Sequence, residues 1–200
     1  MDKIVKMQYD DLYSNNPRWK QNESYSGPGS DLQHTDKLIE QLPVFIKKYN
    51  IRSIVDVPCG DFNYMKHINL EAINYKGYDV SPNCISMCDK FKQNNISFSV
   101  LDITKDTIPC ADLVIIKDLF LHLSFKHISL VLSNVLKSKP KYLAVSHYPQ
   151  RVANIDMKTG IGCRPIDVFI KPFNLTYPVV ERIIYSEKYN GDELVFLRCN

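Results

Sequence analysis

From Arg52 onward the chain is written as short apolar runs separated by turn signals, and this spacing constrains the fold more than any other feature. SIVDV (53–57), INYKGYDV (73–80), ISFSVLDI (96–103), ADLVIIKD (111–118) and KYLAVSHY (141–148) read as five strands. They are too continuously apolar for one wet face, so each is buried on both sides. Helical signals fall between them. Ser81-Pro82 is a cap with proline at the first helical position, opening a helix to about Gln93. Phe62–Ile68 reads as a short helix, and Ser124 caps an amphipathic one carrying Ile128, Val131, Leu132, Val135 and Leu136. Strand–helix alternation of this kind gives an α/β fold, a doubly wound parallel sheet covered on both faces. The ending differs: ERIIYSEKY and DELVFLRC flank Asn190-Gly191, a strong hairpin signal, so the sheet closes with an antiparallel hairpin.

Two hundred residues suffice for one domain with its own core. Residues 1–50 are a lead-in and helix, 51–148 the core, 149–178 a loop and 179–200 the hairpin. Residues 9–30 look too poor in aliphatics for a core element, and SGPGS (26–30) is a loop by composition. Ser30 or Asp31 then caps a helix on which Leu32, Leu38, Ile39, Leu42, Phe45 and Ile46 recur, with Pro43 placed to break or kink it. Residues 149–178 hold four prolines and two glycines where a crossover helix belongs. A long connection beyond the C-terminal end of a strand is a binding loop or lid, or else an ordered surface excursion.

The balance of charge excludes some partners. Lys+Arg 25 against Asp+Glu 22 gives a net charge of +3, too small for the footprint of a duplex nucleic-acid binder. No apolar run approaches a membrane span, and the start lacks a signal peptide's apolar stretch. Six dispersed cysteines without a CxxC pair disfavour zinc ribbons and disulfide scaffolds. The expectation is a cytoplasmic protein with reduced thiols, no bound metal and no membrane partner.

The acids at the strand ends carry the functional signal. Asp56, Asp79 and Asp102 end strands one, two and three at intervals of 23 residues. In a doubly wound sheet they line one edge at the topological switch point. A carboxylate ending strand two can accept hydrogen bonds from a ribose diol, and one ending strand three can meet an adenine amine. The turn between strand one and its helix, VPCGD (57–61), has one glycine and is no dinucleotide fingerprint.

VDVPCGD, GYDVS, VLDI and ADLVIIKDLFLHLS resemble the successive motifs of class I S-adenosylmethionine-dependent methyltransferases. SGPGS, VPCGDFNYM (57–65), KDLFLHLS (117–124) and CRPIDVFIKPF (163–173) resemble one small branch, which includes glycan (sugar) O-methyltransferases. The resemblance spans roughly residues 12 to 198. It implies a Rossmann-like seven-stranded sheet of order 3-2-1-4-5-7-6 and S-adenosylmethionine as cofactor. It further implies that Asp56, Pro58, Cys59, Gly60 and Asp61 wrap the methionine end, Asp79 and Val80 hold the ribose, and Asp102 with Ile103 the adenine. Lys117 would lie beneath the sulfonium, with Trp19 and the loop of Ser26, Gly27, Gly29 and Ser30 closing over the cofactor. The sequence departs from the family's pattern where Pro58 and Phe62 replace glycines and where the 149–178 loop replaces the last crossover helix.

Methyl transfer demands alignment of donor and nucleophile, and a sugar-type hydroxyl also needs a base. Asp118 and His122, four apart after strand four, are the candidates; on a helix they would share a face, the carboxylate orienting the imidazole. His147, Tyr148 and Arg164 are candidates for the acceptor. The sequence after strand four, KDLF, lacks the motif of amino-DNA methyltransferases and the nucleophilic cysteine of cytosine-C5 enzymes. A small hydroxyl compound remains, with a glycan acceptor favoured by the resemblance. Other small molecules, protein side chains, RNA ribose, metal-assisted transfer and an inactive cofactor-binding module stay open.

Overall fold

A computed structural model describes residues 1–15, 23–149, 152–186 and 192–200. The strands are β1 (Ser53–Asp56), β2 (Asn74–Asp79), β3 (Ile96–Val100), β4 (Leu113–Ile116), β5 (Tyr142–His147), β6 (Val179–Ser186) and β7 (Asp192–Arg198). They form one seven-stranded sheet in the order β3-β2-β1-β4-β5-β7-β6. β1 to β5 run parallel, whereas β7 is antiparallel to β5 and β6 to β7. This is the expected topology; Asn190 and Gly191 lie outside the described residues.

Each strand feeds two cores because successive side chains point to opposite faces. Ile54, Leu113 and Ile115 meet α2 (Leu32–Lys48) through its buried Leu38, Leu42 and Phe45. Val55, Val114 and Ile116 meet α4 (Phe125–Lys137) through Ile128, Val131 and Val135. All four residues of β4 are buried, as a central strand covered on both faces requires. α3 (Pro82–Cys88) starts at Ser81, whose hydroxyl accepts from the Cys84 N–H at 3.0 Å; Ser124 does the same for the His127 N–H of α4 at 3.3 Å.

Three local expectations change. The lead-in begins with a helix, α1 (Lys3–Asn15), and Val5 sits in the core. Its inward face repeats every four residues as Val5, Tyr9 and Tyr13, so aromatic rather than aliphatic residues make it amphipathic. Pro43 lies within α2 without ending it, because Leu42 and Phe45 on either side are anchored in the core. Residues 62–68 form only a 3₁₀ turn at Met65–His67. Residues 149–178 hold no helix or strand among those described, as expected.

Candidate active site

The C-terminal edge of the sheet gathers Asp56, Asp79, Lys117 and Asp118. Asp56 is fully buried, and only its Oδ2 is bonded, by the Tyr75 hydroxyl at 2.8 Å; Oδ1 has no hydrogen-bond partner. Burial pushes its carboxyl up to about 7 despite that bond and the Lys117 charge. Asp79 is also buried and is raised to about 6 by desolvation, even though the Ser81 and Gly60 N–H groups donate to it. Two adjacent strands therefore present buried acids, and Asp56 keeps one oxygen unbonded.

The turn between these strands is held from above. Gly60 has φ +54°, and a Cβ there would meet Ser26 Oγ at 2.3 Å, so only glycine fits. Asp61 pins the overlying loop, accepting from the Ser24 and Ser26 hydroxyls at 3.0 and 3.1 Å and the Tyr25 N–H at 2.7 Å. Ser30 is tied in through its carbonyl, which accepts from Asn63 at 3.0 Å. Gly27 adopts φ 97°, and the Gly29 carbonyl accepts from Lys117 Nζ at 2.9 Å. The Ser26–Ser30 loop and the 57–61 turn thus form one wall. Trp19 lies outside the described residues.

Asp102 stands apart. It faces α1, accepting from the Met1 amino group at 2.7 Å, the Thr104 hydroxyl at 2.6 Å and Lys6 at 3.0 Å. Burial alone would raise its carboxyl, but these donors hold it at about 2. Ile103 packs in the α4-side core.

Beyond β4 the acid is saturated. Asp118 has φ 55°, outside any helix. Its Oδ1 accepts from Tyr185 at 2.8 Å, Ser146 at 3.0 Å and Tyr148 at 3.2 Å, and its Oδ2 from Lys117. Burial would raise this carboxyl, yet Lys117 and the hydroxyl donors keep it below the usual carboxylate range. Lys117 Nζ also lies 4.9 Å from the centre of the Tyr185 ring. The 3₁₀ turn Phe120–His122 follows, so the shared helical face expected for Asp118 and His122 does not form.

His122 is oriented from elsewhere. Its Nδ1 lies 2.7 Å from the Gly162 carbonyl, and a carbonyl only accepts, so Nδ1 carries the proton and Nε2 the lone pair. Burial lowers its pKa, which keeps the ring neutral at pH 7.

Two further candidates serve the architecture. His147 points away from Asp118, lying 3.6 Å from Asp167 and 3.5 Å from Glu193, and burial lowers it to about 4. The Arg164 guanidinium donates to the carbonyls of Phe120, Leu123 and Ile155, which leaves it little freedom to grip an anionic acceptor.

No protein-family model and no curated protein sequence matches the chain. Solved structures do. A magnesium protoporphyrin IX methyltransferase from Synechocystis PCC 6803, solved with bound SAM, superposes with a TM-score of 0.70 at 12% identity, over 100% of this chain and 98% of that one. The N-methyltransferase NodS from Bradyrhizobium japonicum WM9, in complex with S-adenosyl-L-homocysteine, gives 0.66 at 15% identity, over 99% of both chains. TehB from Haemophilus influenzae gives 0.58 at 13% identity, over 80% and 62%. This is a methyltransferase fold.

On that methyltransferase fold, α1 covers the carboxyl edge, which the sequence reading did not anticipate. Asp10 accepts from the Ser81 hydroxyl and from the N–H and side-chain amide of Asn83, both at 2.9 Å. Tyr9 donates to the Gly160 carbonyl at 2.7 Å and sets its ring edge-on to His122, 6.5 Å between centres. Tyr13 shares a 3.1 Å hydrogen bond with Ser26. The four-residue spacing of Val5, Tyr9 and Tyr13 was the available signal. Tyr185 and Ser146 had none, since only the sheet order brings β5 and β6 to Asp118.

Proposed function

We propose that this protein transfers the methyl group of S-adenosylmethionine to a hydroxyl of a small acceptor, most specifically a sugar or glycan, with His122 as general base. The cofactor's residues are argued from donors and acceptors. The orphaned, buried Oδ1 of Asp56 suits an ammonium group, and Asp79 suits a ribose diol. At Gly60 and Gly29 the missing Cβ lets Ser26 Oγ and Asp118 Oδ2 approach the backbone, which holds the turn and its overlying loop in place. Pro58, Cys59, Asp61, Val80 and the Ser26–Ser30 loop complete the lining, with Trp19, Asp102 and Ile103 retained from the resemblance as cofactor contacts. When bound, the cofactor supplies an electrophilic methyl on a sulfonium.

What the chain adds is alignment and proton transfer. Alignment is worth about 7–11 kcal/mol in well-oriented reactions. The observation that carries the acid–base reading is the Nδ1 contact of His122 with Gly162, which leaves Nε2 as the open acceptor of the hydroxyl proton. Asp118 takes the role of positioning residue: its bonds to Ser146, Tyr148 and Tyr185 shape the acceptor wall, with Tyr148 facing it. Arg164 fixes the loop behind His122, and His147 stabilises the base of that loop.

Calorimetry with S-adenosylhomocysteine tests the cofactor, and methyl-labelled cofactor with a panel of sugars, glycans, amines and thiols tests the acceptor. Micromolar or tighter binding and label on hydroxyl acceptors are expected. Label only on nitrogen or sulfur would overturn the hydroxyl assignment, and binding of NAD without any response to S-adenosylhomocysteine would overturn the cofactor.

A further inference from the structure

Three thiols meet beneath the Gly60 turn. Cys59 belongs to the turn itself, and Cys84 and Cys88 stand one helical turn apart on α3. Cys88 is within hydrogen-bond reach of both others. As thiols, Cys88 and Cys59 each donate to the Gly60 carbonyl, at 3.3 and 3.5 Å. The Gly60 N–H in turn donates to Asp79, so the orientation of this one peptide is shared between the thiols and the proposed ribose acid. Methyl transfer as derived above uses no thiol chemistry.

The three thiols are all buried but differ in charge. Donation from Cys59 and Cys84 lowers Cys88 to about 5, whereas burial pushes the other two thiols up. Only a thiolate is nucleophilic, so Cys88 is the attacking sulfur and Cys59 the resolving one.

We propose that Cys59 and Cys88 form a peroxide-sensitive dithiol whose oxidation to a disulfide deforms the Gly60 turn and weakens cofactor binding. The effect on the cofactor rests on the function proposed above; the cross-link does not. Cys88, as the thiolate, attacks one oxygen of hydrogen peroxide; the O–O bond breaks, and hydroxide leaves and is protonated to water. Cys88 is then a sulfenic acid. Cys59 attacks that sulfur as its own proton passes to the departing hydroxide; the S–O bond breaks and a second water leaves. Two thiols have lost two electrons and two protons, and one peroxide has become two waters. The disulfide removes both donors from the Gly60 carbonyl and draws the sulfurs to about 2.0 Å, pulling the turn toward α3.

The purified, reduced protein is treated with hydrogen peroxide, and intact mass, tryptic peptides and calorimetric binding of S-adenosylhomocysteine are read together. Loss of the mass of two hydrogens, a peptide joining residues 59 and 88, and a Kd raised roughly tenfold or more are expected, all reversed by dithiothreitol. Cys88→Ser should form no such peptide and bind equally with and without peroxide, while Cys110→Ser, at an exposed site, should behave as wild type. If Cys88→Ser does not fold, prior saturation of the wild type with S-adenosylhomocysteine should slow the cross-link instead. Absence of the 59–88 peptide overturns the proposal, and so does a cross-linked protein of unchanged affinity. If the reduced protein does not bind S-adenosylhomocysteine, the cofactor reading fails, and the proposed link to cofactor binding fails with it, whether or not the cross-link forms.

Discussion

The two halves of the sheet's carboxyl edge treat their acids in opposite ways. At β1 and β2, Asp56 and Asp79 are buried, Asp56 with one oxygen unbonded, and burial drives their carboxyls up to about 7 and about 6. At β4, the half-buried Asp118 accepts from four side chains, and its carboxyl is held down. A buried polar group left short of partners destabilises the native state by about 1–3 kcal/mol. A fold keeps such a group where a ligand completes it. The saturated acid has nothing left to offer a ligand and instead fixes three strands relative to one another. Under the proposed function the same residue type marks a binding edge on one side and a scaffold on the other.

The sharpest way to break this comparison is to remove the base that stands beside the scaffold acid. His122→Ala should lower kcat by about 10²–10⁴ with S-adenosylhomocysteine affinity retained. The wild-type rate should rise with pH through a midpoint below 6.5, because burial depresses the pKa and the neutral ring is the active form. A variant with near-wild-type kcat on the true acceptor would move the base elsewhere.

On the binding edge, Asp79→Ala should weaken S-adenosylhomocysteine by roughly 10- to 150-fold, the loss of one charged acceptor at about 1.5–3 kcal/mol. Calorimetry reads this directly, and an unchanged Kd would place the ribose away from β2. Arg164→Ala should act through stability, since the guanidinium holds three carbonyls. A fall in Tm of several degrees, at about 2–4 °C per kcal/mol, is expected with cofactor affinity unchanged. A rise in acceptor KM at unaltered Tm would show direct contact instead.

A further effect concerns Asp56 and pH. Burial raises its folded carboxyl from the ordinary 3.8 to about 7, so the folded protein binds the extra proton in between. Without ligand, native stability therefore declines as pH rises from about 4 to 7 through this group. Asp56→Asn should be more heat-stable than wild type at pH 8, with the margin shrinking toward pH 5. Thermal melts across that range check it, and a margin independent of pH would mean that Asp56 is not desolvated.

The strands and strand-end acids of the half proposed to bind the cofactor were largely legible in the sequence. Its five apolar runs could pack only as covered strands, and the 23-residue spacing of Asp56, Asp79 and Asp102 placed them at strand ends. Asp102 shows the limit, because its donors Met1 and Lys6 come from the far end of the chain. The other half was less legible for the same reason. Asp118 meets Ser146, Tyr148 and Tyr185 only after β5 and β6 have joined the sheet. Arg164 looked like an anion binder because backbone carbonyls, its actual partners, are invisible to residue type. α1 escaped notice because tyrosines, counted as polar lead-in, form its inward face.

That helix also has a consequence in time. α1 is tied to the start of α3 by Asp10, to the loop over Gly60 by Tyr13, and to the loop beside His122 by Tyr9. The same helix is held again by Lys6 at Asp102 and by Val5 in the core, so it is fastened along its length. Under the proposed function, spent cofactor and methylated product would wait on its opening, and lid motions of this kind run on microsecond-to-millisecond clocks. The expected kinetic trace is a burst of first-turnover product followed by a slower steady rate.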